Sequence, residues 1–215
     1  MGLKEPGLRG SLRNVSVGID AIPDAYLSDD WGDDRLTDRE GSGTTTYNGV
    51  EGVFRPEYTI DSGSPSATNG TLNWSAGDQF YTNINLNLDE TVTWEIKNTV
   101  SVSSDRCFVT LFSETTSFGG EGRPISSYVL VIDGSDRLVF TIDDTASSGG
   151  FLSGTGSDGD DVTITRSPNG DWELIVDGTS QDTGSDTQFT NPESFGFSAR
   201  SDQSGEAEID EIKVS

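Results

Sequence analysis

The chain contains no histidine, and that excludes much chemistry at once. Ser-His-Asp and Cys-His nucleophile sites need an imidazole base, so neither is available. Cys107 is the one cysteine, so metal centres built on His and several Cys are excluded too, as is an intrachain disulfide. Cations are scarce: 13 Lys plus Arg stand against 37 Asp plus Glu, a net charge of −24. Phosphate neutralisation needs a basic patch, so nucleic acid is not an expected partner. Apolar runs are short, Tyr128 to Ile132 being among the longest, and membrane insertion is not expected. No apolar stretch of signal-peptide type follows Met1 to Pro6.

What remains is rich in Gly, Ser, Thr and Asp, punctuating many short apolar runs, the pattern of all-β architecture. Val162 to Gly178 is the clearest unit. Val162 and Ile164 alternate with Thr163 and Thr165, and Ser167-Pro168-Asn169-Gly170 supplies a turn. Trp172, Leu174 and Val176 then resume the alternation. Period two around Asn-Gly predicts a hairpin, because both residues tolerate the positive φ of favoured hairpin turns. Phe80, Thr82, Ile84, Leu86 and Leu88 share one parity, and Val92, Trp94, Ile96, Asn98, Val100 and Val102 share another. Such strands set one face on a core and one in water. Cys107 to Phe112 is apolar on both parities, which predicts a central strand and a buried, inert thiol. Further strands are expected at Ser127–Asp133, Arg137–Asp143 and Phe195–Arg200, with Trp94, Trp172, Phe195 and Phe197 in the core.

The "W-x-L-x-V-D-G" strand at Trp172 to Gly178, with a closing strand at Glu208 to Val214, resembles the central hairpin of concanavalin A-like, laminin-G-like jelly rolls. Ser28-Asp29-Asp30-Trp31 is similar to the opening of such modules, where the first strand pairs beside the last. The resemblance implies an all-β fold, a two-sheet antiparallel jelly-roll sandwich (concanavalin A-like) with an extended N-terminal arm. Residues 1–40 form the expected arm and 41–215 the jelly roll, with a short helical turn near Ala21 to Leu27.

Residues 1–40 hold five of the 13 basic residues and many glycines. A tail without fixed structure fits this composition. So does a docking arm in which Leu3, Leu8 and Leu12 fill pockets while Arg9 and Arg13 pair with an acidic partner. The segment GLKEPGLRGSLRNVSVGIDAIPD, residues 2–24, resembles the N-terminus of structural proteins of haloarchaeal tailed viruses. That implies a virion protein of capsid-decoration, turret or tail-fibre type, made in the cytoplasm of a halophilic host and displayed on the particle surface. Its expected partners are other virion proteins, copies of itself in a trimer or pentamer, and host-surface glycans. Acidity spread along the chain fits a surface adapted to molar salt, where self-repulsion is screened. A purely structural cementing protein and a secreted carbohydrate-binding module are the alternatives.

Three kinds of site remain open. Glycan binding calls for loop aromatics beside polar groups, and Trp74, Tyr81, Phe118 and Phe151 are the candidates; each could instead pack under its own loop. Calcium calls for clustered carboxylates, and Asp158, Asp160 and Asp161 in one flexible loop are the candidates, though an acidic surface yields such clusters without an ion. Glycoside hydrolysis calls for two carboxylates. Jelly-roll glycosidases carry E-I-D-x-x-E on one strand; Glu208-Ile209-Asp210 begins that pattern, but Lys213 stands where the second Glu belongs. No catalytic residue is assigned and no enzyme is expected.

Overall fold

The structure, a computed structural model, describes residues 25–39, 42–101, 105–133, 137–142 and 151–215. Its first nine strands are β1 (Leu27–Asp29), β2 (Gly43–Tyr47), β3 (Val50–Phe54), β4 (Thr59–Ser62), β5 (Ser66–Thr68), β6 (Thr71–Ser75), β7 (Gln79–Asn83), β8 (Val92–Ser101) and β9 (Arg106–Ser113). The remaining nine are β10 (Ser127–Asp133), β11 (Arg137–Ile142), β12 (Leu152–Thr155), β13 (Asp160–Arg166), β14 (Asp171–Val176), β15 (Thr179–Ser185), β16 (Ser194–Ala199), β17 (Glu206–Ile209) and β18 (Glu211–Val214). The one helical turn among the described residues is 3₁₀, at Gly120–Gly122, and none is long and apolar enough to cross a membrane.

Two sheets stack face to face. The larger runs β15-β14-β13-β8-β18-β1-β3-β2, with β17, β6 and β5 branching from β8. The smaller runs β12-β11-β10-β9-β16-β7-β4, so the doubly apolar strand β9 is central, as its sequence predicts. All pairings are antiparallel except β1 beside β3. Trp94, Trp172, Phe195 and Phe197 are at most 1% exposed, and alternating residues of both sheets fill the space between them. Trp94 stacks on Trp172 at 5.7 Å, and Phe197 stacks on Phe80 at 5.1 Å. Cys107 is buried too, and that burial pushes its thiol pKa up, consistent with an inert thiol.

The hairpin β13–β14 forms as expected, but its turn differs. Gly170 has φ +80° while Asn169 is not among the residues with positive φ. Gly170 N–H donates to Ser167 O, and Ser167 N–H to Asp171 O. Pro168 therefore opens a type I turn closed by a left-handed glycine, and only one residue needs positive φ.

The closing strand is broken in two at Asp210. The cause lies in β8, where Asn98 adopts φ +53° and the register against β13 slips. The first half of β8 pairs with β18 and the last part with β17. Asp210 fills the junction: its carboxylate accepts from Thr71 Oγ1 at 2.7 Å and Asn98 Nδ2 at 2.6 Å.

The arm boundary at residue 40 also needs correction. Ala25, Tyr26, Leu27, Trp31 and Leu36 are buried, and β1 sits between β18 and β3, so it pairs with the last strand as the resemblance implies. Residues 25–39 thus belong to the sandwich, and Ala25 to Leu27 are bend and strand, not helix. An ion cluster ties this segment down. The Arg39 guanidinium donates to Asp29, to Asp33 at 2.6 Å and to Pro56 O at 3.1 Å. The Arg39 and Asp29 side chains are fully buried. Burial pushes the Asp29 carboxyl up, opposed by Arg39; burial also opposes ionisation of Asp33, but Arg39 wins there and holds it low. Leu3, Leu8, Arg9, Leu12 and Arg13 lie outside the described residues.

A net charge of −24 on this sandwich makes its stability depend on salt. The Debye length grows from about 3 Å at 1 M to about 10 Å at 0.1 M. We expect the thermal midpoint to fall steadily across that dilution in NaCl; an unchanged midpoint would remove the halophilic reading.

Candidate functional site

The site sits on the outer face of the smaller sheet, and a bulge in β9 builds it. Thr110 pairs with both Gly196 and Val129, yet Ser113 pairs with Ser194 and Phe112 with Tyr128, so β9 carries one extra residue between them. Leu111 and Phe112 both enter the core as a result, and Thr110 and Ser113 both face outward. Bulges re-aim side chains in this way. Trp94 Nε1 donates to Leu111 O at 3.1 Å and braces the bulge from inside.

Across that face run, in register, Tyr81, Gly196, Thr110 and Val129. Gly196 leaves a gap between Tyr81 and Thr110. A Cβ there would meet Phe80 O at 2.6 Å and Tyr81 Cβ at 3.0 Å, so the strands are too close for any side chain. The loop from Glu114 to Ser126 folds over the gap and brings Phe118 to Tyr81, ring centroids 6.5 Å apart and planes 56° inclined. Ser113 Oγ donates to Ile125 O at 2.9 Å, and Ser194 Oγ to Thr115 O at 2.6 Å. The Glu114 carboxylate accepts from Thr190 N and Asn191 N, anchoring the loop's start. Ion pairs of Glu121 with Arg123 and Arg200 hold its far end.

The cleft so formed has about 240 Å³ of empty space including its open mouth. Its lining holds Tyr81, Phe118, Pro124, Ile125 and hydroxyl residues, and no charged side chain. Ile125 is 37% exposed at the rim. Thr110, on the floor, is 4% exposed, and its Oγ1 has no hydrogen-bond partner among the described residues. Two other depressions are open and hydrophilic; one of them, at Ser66, Asn73, Glu206 and Glu208, has no aromatic wall.

Of the four aromatics expected to meet a sugar, the structure brings together Tyr81 and Phe118. Trp74 is no surface aromatic: it is 1% exposed and its Nε1 donates to Ser198 O at 3.1 Å, because Leu72 and Trp74 share the inward parity of β6. Phe151 is half-buried against Gly184 and the core, near β12, while Tyr81 lies toward the other edge of the sheet. The cleft residues missed in the sequence are Thr110, Ser113, Ser194 and Gly196. Their signals are faint: one polar residue inside an apolar strand, and a glycine between two phenylalanines.

The three loop carboxylates do not gather. Asp161 accepts from Lys97 Nζ at 2.8 Å and from Asn98 N at 3.2 Å, so it caps the β8 bulge. The Lys97 ammonium holds the Asp161 carboxyl below its usual range. Asp160 accepts from Ser157 N within its own turn. No group of three His, Cys, Asp or Glu that could hold a metal occurs among the described residues. On the closing strands, Lys213 Nζ lies 4.0 Å from Glu95, and Asp210 is bound to Thr71 and Asn98. A cation thus occupies the position where paired-carboxylate hydrolysis needs its second acid.

No protein-family model matches the chain, and no curated protein does. Solved structures do. The carbohydrate recognition domain of Emp47p matches with a TM-score of 0.53 at 13% identity, over 73% of this chain and 87% of that one. The exoplasmic/lumenal domain of VIP36, solved in a Ca2+/Man-bound form, matches with 0.54 at 9% identity, over 74% and 82%. The receptor binding domain of botulinum neurotoxin C/D mosaic serotype matches with 0.54 at 14% identity, over 89% of this chain but 47% of that one. Identities this low establish architecture only: the chain has the lectin-like, concanavalin A-like jelly-roll fold.

Proposed function

We propose that this chain is a carbohydrate-recognition module whose sugar site is the cleft between Tyr81 and Phe118. The observation that carries it is an aromatic-walled, uncharged cleft on a surface otherwise crowded with carboxylates. Sugar rings present C–H faces that pack on aromatic rings, and their hydroxyls use convergent polar groups. The fold supports the reading, since Emp47p's matching domain is a carbohydrate recognition domain and VIP36 was solved with Man. Calcium has no part in the proposed contact, because Asp160 and Asp161 are engaged within the protein.

Placement belongs to the same proposal. Residues 2–24 would anchor the module to a haloarchaeal virion as a trimer or pentamer, so that weak sites act by avidity. The support is the N-terminal resemblance and the acidic composition. Light scattering in molar salt, on the full chain and on one starting just before Ala25, tests it; two identical monomers would end the arm's role.

The binding test is a glycan array in molar salt followed by calorimetry of the best ligand. Phe118→Ala is expected to weaken binding about tenfold, the loss of one well-packed aromatic contact. Its fold should survive, because Phe118 lies in a loop outside the core. No binding by the parent chain to any sugar would refute the module, and unaltered binding by the variant would move the site elsewhere.

A further inference from the structure

Resting on the cleft being a sugar site, we propose that it selects neutral sugars bearing an acetamido group. The Thr110 hydroxyl carries the argument. It is on the floor, 4% exposed, with no partner among the described residues. A buried hydroxyl left unpaired is costly, and a ligand atom that pairs with it recovers that cost.

Its surroundings decide what that atom belongs to. The neighbouring hydroxyls, Ser113 and Ser194, already donate to Ile125 O and Thr115 O. The rest of the wall is ring and aliphatic surface from Tyr81, Phe118 and Ile125. A sugar edge with two or three hydroxyls would bury some of them unpaired. A carboxylate would meet no cation in the cleft and a net charge of −24 around it. An acetamido group meets both demands: its carbonyl oxygen accepts from Thr110 Oγ1, and its methyl packs against the two rings. Gly196 supplies the room, since any side chain there would occupy the gap beside Thr110.

The test compares N-acetylglucosamine and N-acetylgalactosamine with glucose, galactose and glucuronic acid, by calorimetry or ligand-observed NMR on the full chain in molar salt. The acetamido sugars should bind at least about tenfold tighter than their parent hexoses, with glucuronic acid weakest. Thr110→Val should erase the preference while the unliganded protein keeps or raises its melting temperature, and Thr110→Ser should restore it. Hexoses that bind as tightly as acetamido sugars, with sensitivity to Phe118→Ala, would overturn the acetamido assignment and leave the sugar site standing. A preference that survives Thr110→Val would overturn it as well. No binding by any sugar would overturn both.

Discussion

Arg39→Met is expected to destabilise the protein by about 3–5 kcal/mol, the cost of leaving buried carboxylates without their cation. The Asp29 side chain is fully buried and that of Asp33 is 8% exposed, and one guanidinium serves both. Methionine fills the aliphatic volume, so the loss reports the charge and not a cavity. Solvent denaturation in molar salt measures it. A pH signature separates this cause from general damage. Without Arg39, burial dominates at Asp29 and its folded pKa stands above the unfolded value of about 3.9. The folded state then binds the extra proton, so the variant gains stability as pH falls from neutrality toward that unfolded value. The wild type also carries Asp33, whose pKa Arg39 depresses, and that contribution is lost as pH falls through the folded value. The variant should therefore be stabilised by mild acid relative to wild type. Parallel pH profiles would show that the carboxylates are not buried as described.

That cluster marks where sequence reading stops. Asp29-Asp30-Trp31-Gly32-Asp33-Asp34 reads as a solvated acidic stretch, and Arg39 as one of the arm's scattered cations. Nothing local distinguishes a buried carboxylate from an exposed one when most of the surface is acidic. The burial arises because β1 slots between β18 and β3, a contact made across nearly the whole chain. Parity did reveal the strands that bury an alternating face, including β8, β13, β14 and β16. It could not reveal β15, Thr179 to Ser185, which pairs with β14 at the sheet's edge and has no large apolar residue. Nor could it reveal bulges. Counting by twos across β8 or β9 assumes an unbroken ladder, and Asn98 and Leu111 each break one. The cleft was half legible for the same reason. Tyr81 and Phe118 stand out as aromatics beside polar segments, whereas Thr110 becomes a floor residue only because a bulge turns it and a glycine uncovers it.

The core and the cleft meet at Trp172, and its removal should be felt in both. Trp172 is 1% exposed, 5.7 Å from Trp94, 4.6 Å from Tyr128 and 6.5 Å from Phe112 by ring centroids. Its Nε1 donates to Asp186 O at 3.1 Å, and the buried Arg166 guanidinium lies 5.8 Å from its ring. Trp172→Ala is expected to cost about 3–5 kcal/mol, from lost transfer energy and the cavity left behind. Trp172→Phe keeps much of the stack and loses the donor, so it should cost about 1–3 kcal/mol. Trp94 and Phe112 rest on that ring from the bulge side, and Trp94 in turn holds Leu111 O. The bulge that aims Thr110 and Ser113 is thus propped by the stack. Trp172→Ala should therefore weaken sugar binding even in molar salt at a temperature where the variant is fully folded. Denaturation and calorimetry on one sample check the pair of effects. A large loss of stability with unchanged affinity would mean that the bulge is held by β16 and β10 alone. A loss under about 1 kcal/mol would contradict a close-packed interior around this ring.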